Sequence, residues 1–528
     1  YDPRTSNGED ENGEVVKRIR EYKKMVWSNT LSYLTTFNNI HHLDFLAGYE
    51  IDDTYNDYLS GEAYNFTTPD KHAISNGMKT VSVGGSDSRY RLVSYLSRLN
   101  YDYKNKYYLG ASFRVDGSSR LHRDNRWGTF WSVSGAWRTI EEEFMQPVKD
   151  WLTDLRIRAS YGVNGTLPSD YFGYMGLSSI SGGYLEQPGI QMSQIANPNL
   201  KWETNYNMNI GLDFGFWDRL NFTIEYYTRT TKNLLMDCPV SMTTGFSSYL
   251  MNIGEVKNKG IELTINSTNI KIKDFSWNTT FNLGHNSNKV VKLDGEQTQI
   301  VSGTQIHKVG SSYRTFYVQE FAGINPETGN PLFYTNELDE NGNYIKEITE
   351  NSKNAQFIPY KHAEPTVNGG ISNSLRYKWL DLNFLFSYQF GGYSYDTWAQ
   401  KTEHGGYDSY ANIPTYYRDS WKKPGDQTNI EVYMLGKSSS VSMHKITSSR
   451  RIHSTDYFRL KNITFGITLP KEWTNKINIG NVRFYASASN LWTWAAYDNY
   501  DPEAVSAGSA TQTTPPLKTV TFGLNINF

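Results

Sequence analysis

From Thr519 to Phe528 every second residue is apolar: Val520, Phe522, Leu524, Ile526 and Phe528 alternate with Thr521, Gly523, Asn525 and Asn527. Period two is the repeat of a strand, whose side chains point alternately to its two faces. The segment therefore reads as a strand with one apolar face. The pattern recurs along the chain. Leu380, Leu382, Phe384, Phe386, Tyr388 and Phe390 oppose Asp381, Asn383, Ser387 and Gln389. Met208, Ile210, Leu212, Phe214 and Phe216 oppose Asn207, Asn209, Gly211, Asp213 and Gly215. Leu220, Phe222, Ile224 and Tyr226 oppose Asn221, Thr223, Glu225 and Tyr227, and similar runs start at Lys106, Phe275 and Asn481. About fifteen such segments, each on the order of 10 to 15 residues, begin near 25, 41, 89, 106, 129, 154, 204, 218, 256, 273, 364, 378, 454, 479 and 517.

That length exceeds the usual globular strand of about 5 to 6 residues and suits a strand tilted across a bilayer. Connection lengths point the same way. Counting back from Phe528, gaps alternate between short (near 38–40, 104–105, 140–153, 216–217, 270–272, 377 and 470–478) and long (54–88, 117–128, 164–203, 230–255, 286–363, 392–453 and 492–516). Tight turns at one rim and long loops at the other characterise an outer-membrane barrel. The expected fold is all-β: a membrane-spanning antiparallel β-barrel over 25–528, with 1–24 as an extracellular or loop segment. In lipid, closure satisfies the backbone and an apolar outer face needs no polar cover. Trp217, Trp379 and Trp492, near strand ends, suit interfacial girdles.

Composition agrees. Aromatic residues make up 15% of the 528, with 39 Tyr, 25 Phe and 14 Trp, a mixture that favours sheets. No run approaches the roughly 18 apolar residues of a spanning helix. A net charge of −2 gives no basic footprint for nucleic acid. The lone Cys238 excludes an internal disulfide and a cysteine metal cage. The polar opening "YDPRTSNGEDENGEV" lacks the pattern of a signal peptide, and an odd strand count is unlike the even count of single-chain bacterial barrels. Both suggest a chain that starts inside a longer protein.

Several long motifs carry a family resemblance. "NPNLKWETNYNMNIGLDFGFWDRLNFTIEYYTRTTKNLL" (197–235), "TGFSSYLMNIGEVKNKGIELTI", "FRVDGSSRLHRDNRWGTFWSVSGAWRTIEEEFM" (113–145), "GINPETGNPLFY" (323–334), "YFRLKNITFGITLPKEW" (457–473) and "ASNLWTWAAYDNYDPE" (488–503) resemble the SusC/RagA family of TonB-dependent outer-membrane transporters. The resemblance spans nearly the whole chain. It implies the C-terminal part of a plugged barrel of about 22 strands, energised through TonB, with a SusD-like surface lipoprotein that captures glycans or peptides. The function it implies is import of oligosaccharides or oligopeptides through the cell outer membrane, without bond chemistry. The plug and TonB box of the family have no counterpart in these residues. The alternative is a surface assembly factor or enzyme built on a barrel of the same family.

Chemistry-bearing motifs are weak. The ten histidines are scattered, and His41 and His42, adjacent on a strand, face opposite ways. Asp339, Asn341 and Asn343 have calcium-loop spacing, but Tyr344 stands where glycine is expected, so a turn is the better reading. "VDGSS" (115–119) is a loop start rather than a nucleophile site. No cofactor or metal is expected.

Two groups of residues are candidates for function. The loop after Phe390 holds Tyr393, Tyr395, Trp398, Tyr407, Tyr410, Tyr416, Tyr417 and Trp421. Rings stack on sugars and peptide side chains, and Trp398, Tyr407 and Tyr410 are the expected substrate-facing ones; the competing role for such rings is to pack the loop. Phe522 and Phe528 resemble the terminal aromatic signal read by the barrel assembly machinery.

Overall fold

In the computed structural model of the chain, the described residues are 2, 4, 12–66, 68, 70, 73–184, 187–293, 298–407, 412–436, 442–443, 445–474, 476, 479–511 and 513–527. Fifteen strands form one large sheet in chain order. They are β1 (Glu14–Phe37), β2 (His41–Phe66), β3 (Gly77–Tyr103), β4 (Tyr107–Ser118), β5 (Trp127–Trp137), β6 (Leu152–Thr166), β7 (Glu203–Phe216), β8 (Leu220–Lys232), β9 (Glu255–Lys271), β10 (Phe275–Lys292), β11 (Val367–Tyr377), β12 (Leu380–Phe390), β13 (Tyr457–Thr468), β14 (Asn481–Ala495) and β15 (Thr519–Asn527). β1 and β15 stand at the two ends of the order. Each alternating segment of the sequence is one of these strands.

The tight turns follow one recipe. Asn38 and Asn39, Lys104 and Asn105, and Trp217 and Asp218 all adopt positive φ, between 51° and 58°. The next residue then donates its N–H back across the turn, as in Ile40 to Phe37 at 3.1 Å and Arg219 to Phe216 at 3.0 Å. Left-handed residues at both turn centres match the right-handed twist of the flanking strands.

The first three strands depart from expectation. They contain 24, 26 and 27 residues, so at about 3.3 Å per residue each runs roughly 80 to 90 Å, far beyond the ~9 to 11 residues that cross a bilayer. Residues 14–24, expected in a loop segment, are strand, and most of the expected loop 54–88 belongs to β2 and β3. The register is unbroken from Glu14↔Tyr64 to Phe37↔His41. The sequence hides this because "EVVKRIREYKK" (14–24) has no apolar face. Residues 16–24 of β1 are exposed on both faces, so this segment is held by its main-chain ladder and needs no alternation.

Two compact units divide the chain, one of Tyr1–Gly135, Ser160–Tyr206 and Lys232–Ile253, the other of Ala136–Ala159, Asn207–Thr231 and Gly254–Phe528. In the first, Leu121, Phe130, Leu200 and Trp202 form a small core under the loops. The motif "NPNLKW" supplies two of them, and its Trp202 Nε1 donates to the Arg126 carbonyl at 3.0 Å. Asn252 fastens the same segment, accepting from Lys201 N at 2.9 Å and donating to the Lys201 and Asn233 carbonyls at 2.9 Å. In the second unit the loops after β10 and β12 share two cores: Phe316, Val318, Tyr395 and Ile452 in one, Phe333, Ala355, Met443 and Ile446 in the other. Loops this long order themselves by building their own interiors.

The two sheet faces differ as the alternation requires. On one, aromatic rings stack from strand to strand, as in Phe214 on Phe222 at 4.8 Å and Phe386 on Phe458 at 5.0 Å between centroids. Trp217, Trp379 and Trp492 are exposed at or near strand ends. The other face is polar.

Candidate functional site

Directly paired residues of antiparallel strands share a face, so the register fixes what the polar face presents. Across β9 to β15 one row reads Asn266, Thr280, Ser372, Leu385, Asn462, Ser489 and Thr519. The next reads Thr268, Asn278, Ser374, Asn383, Thr464, Ser487 and Thr521. Leu385 is the one apolar residue of the two rows, and none is charged. Neighbours exchange hydrogen bonds across strands. Thr280 Oγ1 donates to Asn266 Oδ1 at 2.9 Å, and the Thr464 and Ser487 hydroxyls lie 2.8 Å apart.

Charge borders this band on both sides. Toward the β11–β12 and β13–β14 turns, Arg483 holds Asp381, with Nη2 to Oδ2 at 2.6 Å, opposite Arg376. The ring of Tyr485 lies against Gly523, where a Cβ would collide with it. Toward the loops, Arg459 is 1% exposed. It donates to Asp501 at 2.6 Å, to Thr493 at 3.0 Å and to Glu503, while Lys461 reaches Glu503 at 2.7 Å. Both carboxylates come from the "NYDPE" segment, which these cations pin to the wall. A cavity of about 350 Å³ lies there, lined by the Arg314–Glu364 pair together with Gln389, Tyr457, Glu503 and Gly508.

The first unit presents a different wall. Its polar rows read Ser28, Glu50, Ser94 and Asp116, then Thr30, Gly48, Leu96 and Arg114, then Ser32, Leu46, Arg98 and Ser112. Ion pairs lie within and beside them: Arg114 to Asp116 at 2.7 Å between the first two rows, Arg98 to Asp44 at 3.2 Å and Lys24 to Asp52 at 2.8 Å next to them.

The loop aromatics mostly pack the loop. Tyr395 and Tyr417 are buried at 1% and 6% exposure, Tyr416 donates to Glu403, and Trp421 Nε1 donates to the Pro326 carbonyl at 2.7 Å. Gly329, with φ of +71°, lies under the Trp421 ring, so "NPETGN" and Trp421 lock together. Trp398 is exposed on the short helix Thr397–Thr402, which Asp396 caps through Ala399 N at 2.8 Å. Tyr407 is exposed, with Lys445 Nζ 5.0 Å from its ring centre. Among the described residues Trp398 and Tyr407 make no ring contact with each other, and Tyr410 lies outside the described residues. Phe522 is 80% exposed on β15; Phe528 lies outside the described residues.

Beneath these rings is a buried ionic cluster. Arg451, 1% exposed, pairs with Glu403, and Tyr497 donates to Asp396 at 3.0 Å. His453 stacks flat on Tyr497 at 3.7 Å. Burial pushes the Tyr395, Tyr416 and Tyr500 phenols up to about 12 and the His453 imidazole down to about 4. The cluster holds loop to loop. Asp339, at the calcium-like spacing, caps a hairpin turn, accepting from Asn341 N at 2.9 Å and Asn343 N at 2.8 Å.

The wall rows are what sequence reasoning missed. Their polarity is visible in the alternation, but which residues stand side by side depends on pairing register.

The family model described as TonB dependent receptor-like, beta-barrel matches residues 2–344. TonB-dependent receptor P3 of Formosa agariphila is 31% identical over 98% of this chain and 53% of its own length. TonB-dependent receptor SusC of Bacteroides thetaiotaomicron is 30% identical over 90% of this chain and 47% of its own. The solved structure of the RagAB peptide transporter aligns with a TM-score of 0.86 at 27% identity, covering 98% of this chain and 56% of that one. The chain thus spans about half the length of the relatives it matches.

Proposed function

This chain belongs to the TonB dependent receptor-like β-barrel family and is an outer-membrane protein, and from that premise we propose that it is the SusC-like channel of an importer for oligosaccharides or oligopeptides. The observation that carries the reading is the sheet itself. One face carries stacked rings, with charge such as Lys257 and Lys259 only toward the loop ends of the strands, as lipid requires, and the other is a polar wall. The RagAB structure is that of a peptide transporter, which supports solute import. The proteins it matches are receptors and transporters, not enzymes, which disfavours an enzyme built on the barrel.

In this reading the strand ends β1 and β15 join further strands of a plugged barrel of about 22 strands, TonB supplies the energy, and a SusD-like lipoprotein covers the long loops at the cell surface. Trp398, Tyr407 and Tyr410 face the solute; the exposure of the first two supports this. Phe522 and Phe528 serve the barrel assembly machinery, so Phe528→Ser lowers the amount of protein in the outer membrane, and unchanged surface labelling rejects that role.

The test of the importer is uptake. Deleting the gene should abolish entry of labelled maltooligosaccharides or of labelled oligopeptides into cells, and affinity-tagged protein should bring down a surface lipoprotein. Uptake of both solutes at wild-type rates would reject the reading.

A further inference from the structure

We propose that Lys257, Lys259 and Lys289, on the lipid-facing side of β9 and β10, form a seat for the anionic phosphate of a lipid headgroup in the leaflet beside the long loops. This goes beyond the importer reading and does not depend on what the channel carries. It needs only the outer-membrane setting and the sidedness of the loops.

Height places the lysines. β12 runs from Leu380 to Phe390, 11 residues, about what a tilted strand needs to cross a bilayer. Rings mark both limits. Tyr377 and Trp379 are exposed at the short-turn end. At the other end Tyr388 lies 5.8 Å from Phe390 and 6.4 Å from Phe458, and Phe458 lies 6.2 Å from Trp492. Register carries that upper limit across the sheet, from Phe390 to Val367, His285 and Ile261. Side chains two apart on a strand share a face, so Lys259 stands one step beyond Ile261 on the lipid side and Lys257 two, with Lys289 directly opposite Lys257. Each step is about 7 Å along the strand, or roughly 5 Å of height at a tilt near 45°. The headgroup zone beyond the hydrocarbon is about 5 to 8 Å deep, so the lysines stand at its level.

Charge shows that something is missing there. All three lysines are exposed, and among the described residues none pairs with a carboxylate. Like charges directly opposite on adjacent strands are destabilising, and Lys257 against Lys289 is such a pair. The first unit shows that this level of a strand can be balanced from within. One step beyond the row of Trp27, Ile51 and Val93, Arg91 lies opposite Asp53, and Asp53 holds both Arg91, at 3.0 Å, and Arg89. The lysine patch has no Asp53 of its own.

A lipid phosphate supplies what the chain does not. It brings negative charge and several strong acceptor oxygens to the donors. Lysine is a compact point charge with rotatable donors on a flexible stem, which suits a headgroup that moves; the stems lie along apolar surface while the ammonium groups reach outward. Clustered cations beside a membrane draw anionic lipid. The patch faces lipid at headgroup height, so lipid is the occupant that its position selects.

The experiment uses the full-length protein in phosphatidylcholine nanodiscs doped with diphosphoryl lipid A, and native mass spectrometry counts the lipid retained on each protein. Wild type should retain diphosphoryl lipid A in preference to uncharged digalactosyldiacylglycerol, a comparison that needs no variant. Lys257→Gln, Lys259→Gln and Lys289→Gln together should weaken retention at least about tenfold. Lys257→Arg, Lys259→Arg and Lys289→Arg together should preserve it, and Arg89→Gln with Arg91→Gln should weaken it less than about twofold. Stability should change sign with the lipid. In phosphatidylcholine alone the glutamine variant should unfold at or above the wild-type temperature, since it sheds the opposed pair, whereas added lipid A should raise the unfolding temperature of wild type only. Equal retention of the charged and uncharged lipids overturns the proposal, as does equal retention by wild type and the glutamine variant. Displacement of the lipid by millimolar inorganic phosphate would assign the patch to soluble anions and overturn it too. So would unchanged lipid retention in a glutamine variant that loses a co-purifying surface protein, which would make the patch a protein interface. Uptake is not part of this readout, so the importer reading and the lipid seat fail separately.

Discussion

Two walls of one sheet, built by the same alternation, carry different chemistry. The wall of β1 to β4 is laced with ion pairs, Lys24 with Asp52 and Arg114 with Asp116 at under 3 Å. The wall of β9 to β15 is tied by amide and hydroxyl bonds such as Asn288 to Asn258 at 2.7 Å. Half-exposed ion pairs add little stability, so the charges of the first wall are not what holds it; its strands are long and its ladder is continuous. Membrane strands constrain the inner face to be polar and leave the kind of polarity open. That freedom is where function can act.

The largest effect tests whether charge at the edge of the neutral wall is structural. Arg459 is buried against Asp501 and Glu503, and removing one partner of a buried ionic group costs about 3 to 5 kcal/mol. Arg459→Leu should release residues 496–510 to protease in folded protein, with β9 to β12 still protected. Protection of that segment equal to wild type would mean the loop is held by its other contacts.

What could be read beforehand and what could not divide along the same line. Fifteen strands and their loop parity are legible because alternation and turn residues are local. The upper parts of β1, β2 and β3 are not, since a segment such as "EVVKRIREYKK" has no apolar period. Packing roles for Tyr395, Tyr417 and Trp421 could not be told from ligand roles, because a ring that builds a loop core and a ring that stacks on sugar are the same residue type. The wall rows required register. Asn266 and Thr268 meet Thr280 and Asn278 only through a ladder with a bulge between Thr268 and Ile270, and no spacing in the sequence announces that bulge.

A sharper contrast sets the two faces of one strand against each other. Leu375 pairs with Leu382 on the apolar face and Ser374 with Asn383 on the polar one. Leu375→Arg should destabilise the protein in phospholipid vesicles by about 2 to 4 kcal/mol, the cost of Arg near the bilayer midplane, while Ser374→Arg should change urea unfolding by well under that. Equal losses would mean that the faces have been assigned the wrong way round.

pH acts on the loops of the neutral-wall unit through His453. Its folded pKa, about 4, lies below the ordinary 6.5 because burial disfavours the charged ring. Protonation therefore favours the released loop: the contribution is fully present above about pH 6.5 and is lost as pH falls from there through 4. Residues 445–456 and 496–500, the loop segments on either side of β13 and β14, should become protease-sensitive in that window, and His453→Phe should remove the dependence. A transition at unchanged pH in the variant would assign it to another group.

The smallest effect is that of salt, and it addresses the two walls directly. Screening shortens the reach of a charge from about 10 Å at 0.1 M to about 3 Å at 1 M. The pairs of β1 to β4 are exposed on at least one side, Arg98 by 51% and Lys24 by 43%, so they are open to that screening. The rows of β9 to β15 have nothing to screen. Native-state hydrogen exchange in β1 to β4 should therefore speed up by no more than about fivefold between the two salt concentrations, as weak surface pairs allow. Exchange across Asn266 to Thr519 should stay unchanged apart from the ends near Asp381 and Arg459. Because salt also strengthens apolar burial, the neutral wall of the same molecule serves as the internal reference. If both walls accelerate together, the ion pairs contribute nothing separable. If the neutral wall alone responds, its hydrogen bonds sense ions that the uncharged rows give no reason to bind.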